Sequence, residues 1–359
     1  MKVCILGDNL ISLALAKTLV NERIFVDLIY NQNTKPINQN RTIGITKSNI
    51  DYFNKNILNI SKFSWNINSI EIFLEKFDKK ILNFDGNKLQ LFYVIKNYKL
   101  YELLNKSLKS NKFFKRKKLL RNNQLNNNDY QLVINCDASS PITKKLFYKK
   151  ITKNYQSVAY VSIIKHKKIK QNNIAYQTFT KFGPIAFLPI SEIETSIVYS
   201  VKKNYKLLKS DIIELLKKYN PKYSITKVGT IESFNLISSD LRSYYYNNIL
   251  AFGDLLHRIH PLAGQGFNMS LRDIKQLHQI INGRIDLGLE IDSSICSVFE
   301  KKFKHKNYLF SSGIDIVYEF FNFEKNLQNK SLGKFVEFFG KNKSINNLIS
   351  KIADIGIST

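Results

Sequence analysis

The sequence predicts an α/β fold carrying a sheet-rich insertion and a helical C-terminal region, on three observations. Residues 3–6, 10–19 and 25–30 read as strand, amphipathic helix and strand, the βαβ opening of a parallel sheet. From about 151 to 237 the texture changes to short alternating strands, such as 157–163 and 196–201. After 249–254 the α/β texture returns, and from about 294 the chain reads as mainly helical, anchored by Phe299, Phe303, Tyr308, Phe310, Phe320 and Phe321.

The opening strand is apolar throughout, as a strand buried on both faces must be, and the helix after it repeats its apolar residues with helical period. An Asn-rich stretch, 122–128, reads as a surface loop feeding the strand 130–134, which ends in Asn135, Cys136 and Asp137. The whole chain of 359 residues exceeds what one core usually serves, so two lobes are expected. We expect a discontinuous first unit at 1–66, 92–150 and 246–293, a sheet-rich second unit at 67–91 and 151–245, and the helical region at 294–359.

Composition narrows the function classes. No apolar run approaches a spanning helix and the first residues read as a buried strand, which predicts a cytoplasmic protein. Three scattered cysteines, Cys4, Cys136 and Cys296, form no ligand spacing and read as reduced core residues, with no metal implied. The net charge of +27 is the loudest feature. It is carried by lysine spread along the chain together with asparagine and isoleucine, while arginine, the usual base and phosphate reader, is sparse. That pattern argues for a biased composition, or an attraction to anionic membrane surfaces, and against nucleic acid.

One segment carries chemistry: GDLLHRIHPLAGQGFNMSLRD, residues 253–273. A strand end delivers Asp254, a loop containing Pro261 follows, and Gly264 and Gly266 let backbone approach a ligand where a helix begins. A helix N-terminus with free N–H groups is an anion site. This segment closely resembles the GD, HP, GQG, N and RD signature of flavoprotein aromatic-ring hydroxylases, in particular the ubiquinone-biosynthesis branch. A second stretch, AYQTFTKFGPIAFLPI at 175–190, resembles that branch's strand pair with its Gly-Pro turn.

The resemblance implies a Rossmann-like FAD-binding domain of the p-hydroxybenzoate hydroxylase type with an inserted substrate domain. By it, Gly253 and Asp254 meet the cofactor, with Asp254 on the ribityl chain. Gly264, Gln265, Gly266, Phe267 and Asn268 face the pyrophosphate and flavin ring, and Pro261 lines the ring pocket. Arg41 approaches the flavin, Asp137 lies at the turn near the pyrophosphate, and His260 is structural rather than catalytic. Phe179, Phe187 and Pro189 are candidates for the substrate pocket, the two phenylalanines being equally readable as core.

The implied reaction is hydroxylation of a polyprenylated phenol with NAD(P)H and O2, no side chain acting as acid, base or nucleophile because the flavin carries the chemistry. It further implies a peripheral position on the inner face of a membrane, other quinone-biosynthesis proteins as partners, and leaves a homo-oligomer open. A silent scaffold and a related flavin hydroxylase or reductase on another substrate are the alternatives.

The opening turn departs from the family. Where a dinucleotide fingerprint has GxGxxG, this chain has Gly7, Asn9 and Ser12. Asn9 is expected to tolerate positive φ, Ser12 to permit close packing, and Asp8 to set a negative charge beside a pyrophosphate. The acidic residue expected after the second strand is Tyr30, with Asp27 three residues too early. The family's Asp-Gly turn is Asp137-Ala138, without glycine's freedom of φ.

Overall fold

A computed structural model describes residues 2–30, 39–75, 79–85, 90–118, 129–205, 207–260, 264–326 and 354. The expected α/β architecture with a sheet-rich insertion is what it shows. A six-stranded sheet runs in the order Tyr245–Tyr246, Ile249–Ala251, Leu132–Asn135, Lys2–Leu6, Phe25–Tyr30, Phe114–Lys118. Every pairing is parallel except that of the Tyr245–Tyr246 edge. Its strands are apolar runs because both faces are covered: helix Leu10–Asn21 packs on Asn97–Lys109 and Gln265–Asp286, and one core joins them.

A nine-stranded sheet is built around Lys150–His166, which pairs antiparallel with Glu194–Lys202 and Glu232–Leu241. Strands Ser69–Leu74 and Lys79–Asp85, from the early insertion, complete one edge beside Ile174–Thr180. At the other edge, His257–Arg258 leaves the first unit to pair with Ser239 and Asp240. In Gly183–Pro189 buried and half-buried residues alternate, because Ile185 and Phe187 pack under helix Lys209–Lys218 while Leu188 joins a second cluster with Trp65, Ile67 and Val94. Gly183 is obligatory at the turn: its φ is +141° and a Cβ would sit 2.0 Å from the Ser200 carbonyl oxygen.

A small antiparallel sheet, Thr42–Thr46, Phe92–Lys96 and Trp65–Ile67, lies between the two. The C-terminal region is helical as expected over Ser294–Asn326. The remainder of that region, apart from Asp354, lies outside the described residues, as do Pro261, the 122–128 loop and the side chains of Phe320 and Phe321. Among the described residues no helix is long and apolar enough to cross a membrane, and no cluster suits a metal ion.

Candidate functional site

The carboxyl ends of three adjacent parallel strands bring the opening turn, the Asp137 turn and Gly253-Asp254 together, the place where open α/β sheets bind ligands. Gly7, at φ +106°, touches the second of these: a Cβ would come within 3.2 Å of the Asp137 backbone nitrogen. Gly253, at φ +64°, would carry a Cβ 3.1 Å from Ile11 of the opening helix. Both glycines are there because chain segments cross closely. Asp254 follows on the exposed rim.

Asn9 does something other than the sequence suggests. Its φ is −125°, so it does not substitute for glycine's positive φ; it caps the helix, accepting from Ser12 N at 3.0 Å and Ser12 Oγ at 3.1 Å. Its Nδ2 donates to the Cys136 carbonyl at 3.0 Å, tying the first helix to the neighbouring strand. An asparagine side chain therefore already uses one of the N–H groups that a phosphate would otherwise take. Ser12 is fully buried, as its packing role requires.

Asp8 is not a free negative charge. Tyr101 donates to its Oδ1 at 2.9 Å and Arg116 is ion-paired with Oδ2. Arg116 also lies 5.0 Å from the centre of the Tyr30 ring. Asp27 is sequestered elsewhere, buried and held by Lys2 at 2.9 Å, Lys117 at 2.7 Å and Tyr130 at 2.8 Å. The Asp137-Ala138 turn closes without positive φ at Ala138. Asp137 instead accepts from Ser139 N at 2.8 Å, and its carbonyl takes the Thr143 hydroxyl at 2.7 Å.

The second half of the site is the start of helix Gln265–Asp286. Gly264, left-handed at φ +65°, precedes it and has no side chain to cap it, so that its first N–H groups have no side-chain cap among the described residues. A Cβ on Gly266 would meet nothing within 4 Å, which leaves open space over the first turn. Beside it, the Oε1 of buried Gln265 has no hydrogen-bond partner among the described residues. Phe267 is half-buried against the main core.

Asn268 pins this turn: its Nδ2 donates to Gly44 O at 2.9 Å, while Oδ1 accepts from Thr46 N at 2.9 Å and Asn49 Nδ2 at 3.1 Å. One turn later, Asp273 grips fully buried His257, and Asn307 Nδ2 donates to the same carboxylate at 2.9 Å. Burial works against the charged form of His257, yet Asp273, with Asp240 and Asp254 further off, holds its pKa above the ordinary value.

His260 is enclosed by Tyr155 and Tyr318, at ring-centre distances of 4.7 and 4.1 Å, and burial pushes its pKa down to about 3. It is neutral at physiological pH and ill-suited to donate a proton. Arg41 is exposed, its guanidinium 5.4 Å from the centre of the Phe234 ring on the nine-stranded sheet. Around it, Thr42 donates to Ser196 Oγ at 2.7 Å and Asn40 to Glu232 at 2.7 Å, joining the edge of the small sheet to the nine-stranded sheet through polar side chains.

Of the pocket candidates, Phe187 packs in the core beneath helix Lys209–Lys218, stacked on Tyr223 at 6.0 Å. Pro189, two residues on, shares that buried face. Phe179 pairs with Pro184 on the other face of these strands, the face that also carries Ala175 and Leu188 towards the small sheet. The sequence reading missed Arg116 and Tyr101; no motif marks them, Arg116 being one cation in the run Phe114–Lys118.

No family model matches the chain. Among curated proteins, the mitochondrial ubiquinone biosynthesis monooxygenase COQ6 of Danio rerio is 24% identical over 229 residues, 52% of this chain and 47% of that protein. The 3-demethoxyubiquinol 3-hydroxylase of Escherichia coli is 27% identical over 154 residues, covering 41% and 39%. The chain thus spans about half the length of the curated relatives it matches. Among solved structures, p-nitrophenol 4-monooxygenase PnpA from Pseudomonas putida DLL-E4 superposes with a TM-score of 0.80 at 10% identity, over 99% of this chain and 98% of that one. Fold and sequence together define a class: the chain is a divergent relative of the FAD-dependent aromatic-ring hydroxylases, with the p-hydroxybenzoate hydroxylase type of flavin-binding fold. Within that class its sequence kinship is to COQ6, and that kinship is weak.

Proposed function

We propose that the chain is an FAD-dependent monooxygenase that hydroxylates the aromatic ring of a polyprenylated phenol in ubiquinone biosynthesis, using NAD(P)H and O2. The observation that carries this reading is the uncapped start of helix Gln265–Asp286, with left-handed Gly264 before it and open space over Gly266. Those features fit an anionic, planar cofactor. Bound FAD would supply the redox chemistry, with two electrons drawn from NAD(P)H, one oxygen atom of O2 inserted into a ring C–H bond and the other leaving as water.

The protein's share is holding and shielding. Exposed Asp254 accepts from the ribityl hydroxyls, the N–H groups of residues 265–267 hold negative charge at the flavin and pyrophosphate, and Arg41 adds a cation at the flavin edge. Gly7, Ser12 and Asp137 shape the turn around the pyrophosphate, with Asn9 weakening that contact by capping the helix itself. Phe179 and the apolar face beside it keep water from the ring, and Phe187 and Pro189 support that sheet from behind.

The unit made of 1–66, 92–150 and 246–293 holds the cofactor, and that of 67–91 and 151–245 covers the substrate. A polyprenyl tail resides in a bilayer, so the basic surface serves docking at the inner face of a membrane, each Lys or Arg near anionic lipid contributing about 1 kcal/mol.

The test is the visible spectrum of the purified protein before and after addition of FAD. Flavin bands that NAD(P)H bleaches and air restores, with hydroxylated product from a prenylated phenol, are the expected result. A protein that rejects FAD at high micromolar concentration is a scaffold on the flavoprotein fold, and this reading falls. Bleaching with reduced rather than hydroxylated product marks a reductase.

A further inference from the structure

The adenosine end of the cleft lacks the acidic residue that a dinucleotide fold places after its second strand, Tyr30 standing there instead. The structure fills that place with a guanidinium from another strand. Arg116, on Phe114–Lys118, reaches over Tyr30 at 5.0 Å from the ring centre. Three hydrogen bonds hold its edge: one terminal nitrogen donates to Asn105 Oδ1 at 2.8 Å, the other to the Tyr101 hydroxyl at 2.9 Å and to Asp8 of the opening turn.

Guanidinium N–H groups lie in the plane of the group, so these bonds fix that plane. With both terminal nitrogens bonded and the Tyr30 ring on one side, the side chain still keeps 28% of its area exposed, area that a second planar group can cover. A rigid cationic plane backed by an aromatic ring is a stacking platform for a planar heteroaromatic base, something lysine cannot reproduce. Asp8 serves twice, orienting the plane and having its charge offset by the Arg116 cation, which weakens its opposition to a pyrophosphate.

We propose that Arg116 is the adenosine-binding residue of this chain, its guanidinium stacking on the adenine of the dinucleotide in place of the missing ribose carboxylate. Recognition here reads a base plane instead of ribose hydroxyls. The proposal rests on the flavin reading above, and its test separates the two.

The experiment is titration of the full chain with FAD, FMN and ADP, followed by calorimetry and flavin fluorescence, with the thermal midpoint of each variant as a folding control. Wild type is expected to bind FAD at least about tenfold more tightly than FMN, and to bind ADP. Arg116→Gln and Arg116→Lys lose most of that preference while FMN binding holds. Because Arg116→Gln also strands the Asp8 charge, the double variant Asp8→Asn/Arg116→Gln removes both, and the preference is expected to stay lost.

A preference that returns in the double variant, or survives in Arg116→Lys, reduces the effect to charge and overturns the stacking assignment. Equal affinity for FAD and FMN in wild type overturns it while leaving the flavin reading intact. Refusal of FAD, FMN and ADP alike overturns both.

Discussion

Replacing Asn268 by alanine should separate helix Gln265–Asp286 from the strand it is pinned to. The side chain is 1% exposed and satisfies three groups: the Gly44 carbonyl, the Thr46 N–H and the Asn49 amide. Asn49 keeps a second partner in Thr46 Oγ1 at 3.0 Å, so the substitution orphans chiefly the other two. A buried polar group left without a partner costs about 1–3 kcal/mol. Thr46 is buried and bears the full penalty, while half-buried Gly44 sits nearer the low end. The sum is about 3 kcal/mol, or roughly 6 °C of thermal midpoint at about 2 °C per kcal/mol for a long chain. Circular dichroism during guanidinium and thermal unfolding reads this directly. Asn268→Asp retains the acceptor but loses the donor to Gly44 and buries a charge, so it should be no milder than alanine. A loss below about 1 kcal/mol for alanine would refute the reasoning, since it would mean that water replaces the amide and the pin is not structural.

Three further outcomes follow from other parts of the molecule. Asn9→Gly restores the second fingerprint glycine and frees the Ser12 N–H, so FAD should bind several-fold more tightly, at a stability cost of a few tenths of a kcal/mol for the cap plus the lost Cys136 bond; flavin titration beside a melting curve checks both. His257 has its pKa raised in the folded state, so the stability it contributes is full below its unfolded value of about 6.5 and is lost as pH rises through the folded value. Unfolding midpoints measured across that range should fall with rising pH in wild type and flatten in Asp273→Asn. Gly183→Ala drives a Cβ into the Ser200 carbonyl at a backbone angle alanine rarely adopts, so the strand pair around it should not close; soluble yield and limited proteolysis of that sheet report it.

What could be read from the sequence follows the physics of distance along the chain. The βαβ opening, the return to α/β after residue 249 and the glycine-started helix are local patterns, and each forms where periodicity and turn chemistry put it. Asn9 was ambiguous for a chemical reason: asparagine both tolerates positive φ and caps helices, and only the neighbouring Cys136 carbonyl decides between them. Asp8 looked repulsive because its partner lies 108 residues away in a lysine-rich strand. Phe187 illustrates the limit of period-two reasoning. Alternation separates the two faces of a strand but does not say which one a helix will cover. The grip of Asp273 on His257 spans 16 residues across a loop and has no periodic signature.

The three cysteines, remote from any disulfide, bear on how such a protein endures. Each is buried, and burial pushes each thiol up to about 12. Since the thiolate is the species that oxidants attack, burial leaves these thiols far less vulnerable at neutral pH than exposed ones. Cys136 lies directly behind the opening turn, its carbonyl holding Asn9. In the proposed reading, oxygen reduced at a bound flavin without substrate would yield peroxide in the cleft that this turn borders. A buried thiol held protonated there would resist that by-product.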